Sequence, residues 1–185
     1  MGRDKARIRV GPRTLLGHAR LTARESGLPV RVIRRDLVPR RGPLGGVYTA
    51  LTTSQAEDLL FLSCDMPFVS AGLLRTLISR FQRQKGSWFV SRDRVPGFPF
   101  LLQRADLVAV ERQLRSGAFS VRRLVKALKA HTFDPTGFSG REFLNVNTPH
   151  ELKIARRCWR EIGGRVSSRK ATKAGTTLVN RRKLR

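Results

Sequence analysis

The feature that most constrains the fold is an apolar run that stops on a carboxylate. Residues 57–65 read EDLLFLSCD, and Met66-Pro67 follow at once. Leu59, Leu60, Phe61 and Leu62 show no polar alternation, so the run reads as a strand buried on both faces, as in a parallel sheet. Around it, strand-like and helix-like segments alternate. Residues 13–25 space Leu15, Leu16, Ala19, Leu21 and Ala23 as a helix, which Gly27-Leu28-Pro29 stops. PVRVIRRD (29–36) reads as a short strand, and RRGPLGG as a turn opening a helix at Val47. Ser70 is placed to N-cap a helix with Leu73, Leu74, Leu77, Ile78 and Phe81 inward. SWFVS and FPFLLQ are strands around a loop at 93–97, and helices follow over 105–114 and 120–130. EFLNVN is a last strand, and Thr148-Pro149 opens a final helix ending at Gly163-Gly164. This order predicts an α/β domain over residues 1–164, with a mostly parallel sheet and helices on both faces.

Ligands of open α/β sheets bind beyond the carboxyl ends of the strands. Asp65 stands at such an end, where a carboxylate can hold Mg²⁺ and the metal can hold phosphates. An Asp just before a Pro also caps turns, and position alone leaves both roles open.

The formal charge of +25 comes from 38 Lys and Arg against 13 Asp and Glu. Residues 165–185 carry eight of the basic side chains and no acidic one, and read as a disordered tail. The rest still carries about +17, so the body itself attracts polyanions such as nucleic acid, nucleotides and phosphorylated metabolites. Cys64 and Cys158 provide neither a disulfide framework nor a metal pair and fit a reduced, cytoplasmic setting. No run has membrane-spanning length, and no signal-peptide core precedes Arg13. His18, His131 and His150 have no ligand spacing. Trp88, Phe89, Phe98 and Phe100 read as core.

Four segments appear in a telling order: MGRDKA (1–6), GPLGGVYTAL (42–51), FLSCDMPFV (61–69) and FLNVNTPHEL (143–152). Together they resemble the molybdenum cofactor guanylyltransferases, the MobA-like branch of the Rossmann-like nucleotidyltransferase fold. The resemblance runs from Met1 to about Arg160, with CDMPF and NVNTP its most specific pair. It implies transfer of GMP from GTP to molybdenum-molybdopterin, with Mg²⁺ as cofactor and pyrophosphate released. Molybdoenzyme apoproteins and other cofactor-biosynthesis proteins are the further partners it implies.

By the same resemblance, Lys5 contacts nucleotide phosphates and Asp65 binds the metal. Asp36, Gly45 and Gly46 bind the nucleotide, with Gly42 in the same turn, and Asn145 and Asn147 lie near the pterin. Each also has an ordinary structural role: a surface lysine, a solvated turn aspartate, tight-turn glycines, and asparagines forming a turn before Pro149.

The chain departs from the family pattern in three places. The family's first strand and its Gly-rich phosphate turn would precede Met1, so the sheet is expected to lack that strand and the 185-residue chain to be marginally stable and poorly active. The link between Glu25 and Asp36 is short and lacks a nucleotide-binding asparagine, and Phe98 stands where a His is usual. Two other readings stay open: a related cytidylyltransferase, and a basic nucleic-acid-binding protein with a degenerate transferase site.

Overall fold

The computed structural model describes residues 5–170. Two short strands, β1 (Arg9–Val10) and β2 (Arg13–Thr14), form a small hairpin and lead into α1 (Leu15–Glu25). Thr14 caps α1 by accepting a hydrogen bond from the Gly17 N–H at 3.0 Å. Next come α2 (Pro43–Thr53), β3 (Asp58–Phe61), α3 (Ala71–Arg83), β4 (Trp88–Arg92) and β5 (Val95–Gln103). The described residues end with α4 (Leu107–Arg115), α5 (Val121–Ala127), β6 (His131–Phe133) and α6 (Pro149–Lys170).

The main sheet has the order β3-β5-β4-β6. Since β5 is antiparallel to both β3 and β4, and β6 is parallel to β4, three strands point one way and β5 alone opposes them. The α/β class stands, with a mixed sheet. The β4–β5 hairpin turns on Asp93 and Arg94, both at positive φ, and β5 begins at Val95. That is tighter than the expected loop over 93–97, because two left-handed residues suffice to reverse the chain.

Helices cover both faces. On one, Leu73, Leu74, Leu77 and Phe81 of α3 pack against Trp88, Val90, Leu101 and Phe133. On the other, Val47 and Leu51 of α2, Val110 of α4 and Leu124 of α5 pack against Phe89, Phe100 and Leu102. Alternate strand residues serve opposite faces, the period-two logic of a pleated sheet. Ser70 caps α3 as its position predicts, accepting from the Leu73 N–H at 3.1 Å. A third cluster joins Val10, Leu15, Val146 and Ala155, with Trp159 packed against it. Here Gly11, at φ +62°, lies so close to the Trp159 indole that an added Cβ would overlap the ring.

Five expectations need correction. The helix α2 opens at Pro43 rather than Val47, so Gly45 and Gly46 lie in its first turns and not in a turn before it; Pro suits a first helical position because its missing N–H would be unpaired there anyway. The segment 29–34 is not a strand: among the described residues no strand offers it a ladder, and without one an extended apolar run is only coil. The run at β3 is paired on one side only among the described residues. Leu59, Leu60 and Phe61 are half-buried rather than enclosed on both faces. EFLNVN forms a 3₁₀ turn over Gly140–Phe143 followed by an irregular segment, and the last strand is instead β6. Finally, α6 runs through Gly163-Gly164 to Lys170, because interior glycines cost a helix about 1 kcal/mol each without ending it. Residues 165–170 are therefore helical, and the remainder of the basic tail, with Met1 to Asp4, lies outside the described residues.

Candidate active site

The segments carrying Lys5, Asp65 and Asn147 come together where the third cluster meets the end of β3. The irregular 144–147 segment crosses the CDMP turn, and the Val146 N–H donates to the Asp65 carbonyl at 2.8 Å. Val146 is fully buried, which anchors the asparagines flanking it. Asn145 and Asn147 themselves are exposed. The Lys5 ammonium donates to Asn147 Oδ1 at 3.2 Å, across 142 residues of sequence. Asp65 is half-buried, and its Oδ1 accepts from the Ser63 hydroxyl at 2.5 Å. One hydrogen-bonded framework therefore carries an ammonium, a carboxylate and two amides.

Glu151 holds this framework from the α6 side. Its carboxylate accepts from the Asn147 N–H at 2.8 Å, the Thr148 N–H at 2.7 Å and the Thr148 hydroxyl at 3.0 Å. The Glu151 N–H returns a bond to the Thr148 hydroxyl at 3.1 Å, completing a capping box. The Asn147 amide first, and then the two Thr148 donors, hold the Glu151 carboxyl below the usual glutamate range.

Asp36, Gly45 and Gly46 form a second group. The loop after Asp36 is tied to α2 by the Leu37 N–H, which donates to Thr49 Oγ1 at 2.8 Å; that hydroxyl donates to the Gly45 carbonyl at 2.8 Å. The Asp36 carboxylate then lies over the first turn of α2. A Cβ on Gly45 would sit 2.8 Å from Asp36 Oδ2 and 2.9 Å from the Val38 carbonyl. Gly45 is thus required for close approach, whereas a Cβ on Gly46 would stand 3.5 Å from Asp36 Oδ1, an ordinary contact.

A cavity of about 810 Å³ runs beside both groups and is lined by Gly46 itself and by Ala6, Ser63 and Cys64, chain neighbours of Lys5 and Asp65. Arg20 and Arg34 also line it, among apolar residues from α1, the 28–34 segment and β3. Such a space, mostly apolar with a few convergent polar groups, is the usual form of a small-molecule site. Among the described residues no three His, Cys, Asp or Glu side chains group as a metal cage. Mg²⁺ needs none, since it is commonly held by one or two carboxylates plus substrate phosphates and water. Asp65, braced by Ser63, fits that demand.

Of the other singled-out residues, His18, Trp88, Phe89 and Phe100 fall into the core, while His150 is exposed. His18 is buried and bonds the Val10 carbonyl through Nε2 at 2.7 Å, with Trp159 against its ring. Phe89 and Phe100 are fully buried, and Phe98 borders the cavity. Glu151 and Ser63 escaped the sequence reading. The T-x-x-E spacing of Thr148 and Glu151 is a legible capping-box signal; nothing local singles out Ser63.

The family described as the MobA-like NTP transferase domain matches residues 1–132. A molybdenum cofactor guanylyltransferase of Syntrophotalea carbinolica is 29% identical over 136 residues, covering 68% of this chain and 63% of that protein. The chain spans about three-fifths of the length of the curated relatives it matches first. Among solved structures, molybdopterin-guanine dinucleotide biosynthesis protein A from Archaeoglobus fulgidus superposes with a TM-score of 0.70 at 17% identity, over 86% of this chain and 92% of that one. The 2-C-methyl-D-erythritol 4-phosphate cytidylyltransferase of Thermus thermophilus superposes with a TM-score of 0.65 at 20% identity, over 84% and 93%. Both likenesses are of fold.

Proposed function

Because this chain belongs to the MobA-like NTP transferase family, we propose that it transfers GMP from GTP to molybdenum-molybdopterin, giving the guanine dinucleotide form of the cofactor and pyrophosphate. The observation that carries this reading is the convergence of Lys5, Asp65 and Asn147 beside a cavity bordered by Gly46. In the reaction a terminal phosphate oxygen of the pterin attacks the α-phosphorus of GTP. The new P–O bond forms as the bond to the bridging α–β oxygen breaks, and that oxygen leaves on pyrophosphate. No covalent enzyme intermediate is needed, so the protein contributes positioning and charge neutralisation.

Each side chain takes one part of that work. The Lys5 ammonium, held by Asn147 Oδ1, is a point charge suited to phosphate oxygens. Asp65 would hold Mg²⁺, which when bound neutralises phosphate charge. The Asp36 carboxylate accepts hydrogen bonds only, so it suits the donor groups on the edge of a guanine. Asn145 and Asn147 donate and accept, which suits a pterin edge. Gly45 lets the Asp36 loop close on α2. Substrates of this kind place the protein in the cytoplasm with molybdoenzyme apoproteins as downstream partners. No described helix is long and apolar enough to cross a membrane.

The test is transfer of α-labelled nucleotide to molybdopterin with Mg²⁺, comparing GTP with CTP. GTP is expected to be used, and Asp65→Asn to lose at least about 100-fold in transfer with its melting temperature retained. Unchanged turnover in Asp65→Asn overturns the metal role. Faster transfer from CTP replaces the reading by cytidylyl transfer, the activity named for the T. thermophilus neighbour.

A further inference from the structure

The outward face of α3 takes no part in that site. It lines an open groove of about 590 Å³ whose residues include Arg75, Thr76, Ser79, Arg80, Arg83 and Trp88. No Asp or Glu lines it, and none of its residues borders the larger cavity. The arrangement follows from helical spacing. Arg75, Ser79 and Arg83 recur every four residues along one row, with Thr76 and Arg80 on the adjacent row. The opposite side of α3 is occupied by Leu73, Leu74, Leu77 and Phe81 in the core, so the polar rows are held outward on a fixed element.

Two of the arginines are anchored without being used up. Arg75 donates one N–H to the Glu25 carbonyl at 3.0 Å, and the Arg80 guanidinium lies 4.7 Å from the centre of the Phe133 ring. A guanidinium has five N–H donors, so each keeps others for an incoming oxyanion. Trp88, nearly buried, closes the floor, with its indole N–H donating to the Gln84 carbonyl at 2.9 Å. The groove therefore offers cationic forks and hydroxyls above Trp88, which keeps only 7% of its surface exposed.

Length decides the class of anion. Arg75 and Arg83 are eight residues apart, about 12 Å of helix rise. Phosphates along a single strand are spaced more widely than the roughly 3.4 Å rise of a stacked duplex strand, so the row spans about two or three consecutive phosphates. A single nucleotide meets only part of it. We infer that this α3 groove docks the phosphodiester backbone of nucleic acid without reading its sequence, a binding activity separate from nucleotidyl transfer. The +25 charge of the chain supplies long-range attraction, and the groove supplies the fixed contacts.

The experiment is fluorescence anisotropy of a labelled 20-nucleotide oligouridylate with the full chain, at 50 and 200 mM KCl. About three phosphate contacts predict a salt slope near −2 for a single strand, an affinity loss of about 20-fold over that range. The variant R75Q/R80Q/R83Q is expected to bind at least about tenfold more weakly at 50 mM and to flatten the slope. Removal of the same charge elsewhere, in R112Q/R122Q/R123Q on α4 and α5, is expected to stay within about twofold. Arg83→Gln alone, far from the Phe133 and Glu25 contacts, should lower the slope by about one phosphate while melting like the parent. Saturating GTP should not compete. Equal losses in both triple variants, no binding at 50 mM, or full displacement by GTP or by a poly-glutamate peptide of equal charge would each overturn the inference.

Discussion

At the centre of the sheet Phe89, Phe100 and Leu102 have no exposed surface, with α3 on one face and α2, α4 and α5 on the other. At the β3 edge Leu59, Leu60 and Phe61 are only half-buried, and the apolar segment 28–34 faces the cavity beside them without pairing. The two regions are similarly rich in Leu, Val, Ile and Phe. What separates them is partners. A central strand has two ladders and two helical layers, whereas β3 has one ladder among the described residues and borders a space of about 810 Å³. Apolar composition makes a segment available for burial, and neighbouring elements determine how much of it is buried. The candidate active site lies on the open side, where a ligand can enter. The α3 side is filled with side chains and presents its outer arginines and hydroxyls.

This contrast can be broken by mutation. Phe100→Ala is expected to cost about 3–5 kcal/mol in denaturant unfolding, because the ring is enclosed and stacked on Phe89 at 4.7 Å. Leu60→Ala at the edge should cost clearly less, about 1–2 kcal/mol, since part of that side chain already meets solvent. Equal costs would show that the β3 edge is as closed as the centre.

The two glycines of α2 give a sharper pair. Gly45→Ala should destabilise by about 1–3 kcal/mol, because its Cβ would press on the Asp36 carboxylate and the Val38 carbonyl at under 3 Å. Gly46→Ala, with an ordinary 3.5 Å contact, should be neutral or stabilise by up to about 1 kcal/mol through helix propensity. Thermal melting of both variants checks the difference, and a harmless Gly45→Ala would mean that the Asp36 loop is not held against the helix.

Amide hydrogen exchange compares the regions without mutation: amides of β4 and β5 between their neighbours should exchange more slowly than those of β3 that face away from β5. Uniform protection across the sheet would contradict the open edge.

The smallest expected effect concerns Glu151. Its carboxyl titrates below the ordinary glutamate value of 4.5 because the folded turn donates three hydrogen bonds to the ionised form. A depressed pKa stabilises the fold above the unfolded value, and that stabilisation is lost as pH falls through the folded value. The Asn147 and Thr148 amide resonances should therefore shift below pH 4.5 in the parent, and Glu151→Gln should abolish that titration.

Much of the molecule was legible from residue order alone. The spacing of Leu73, Leu74, Leu77 and Phe81 marks the buried face of α3, and Ser70 marks its start, because a helix repeats every 3.6 residues and needs a cap. CDMPF and NVNTP pointed to one site although nearly 80 residues separate them. Local pattern could not supply pairing. Residues 29–34 have strand composition and remain coil, while His131–Phe133, hardly a pattern at all, become β6 because β4 offers them a parallel edge. The Lys5–Asn147 bond, the docking of Asp36 on Gly45 and the Glu151 brace on Asn147 likewise depend on where α2, α6 and the CDMP turn come to rest. Periodicity and caps act over a few residues, so sequence by itself determined them. Ladders, cavities and the meeting of side chains 142 residues apart are set by packing between distant segments, which only the tertiary structure decided.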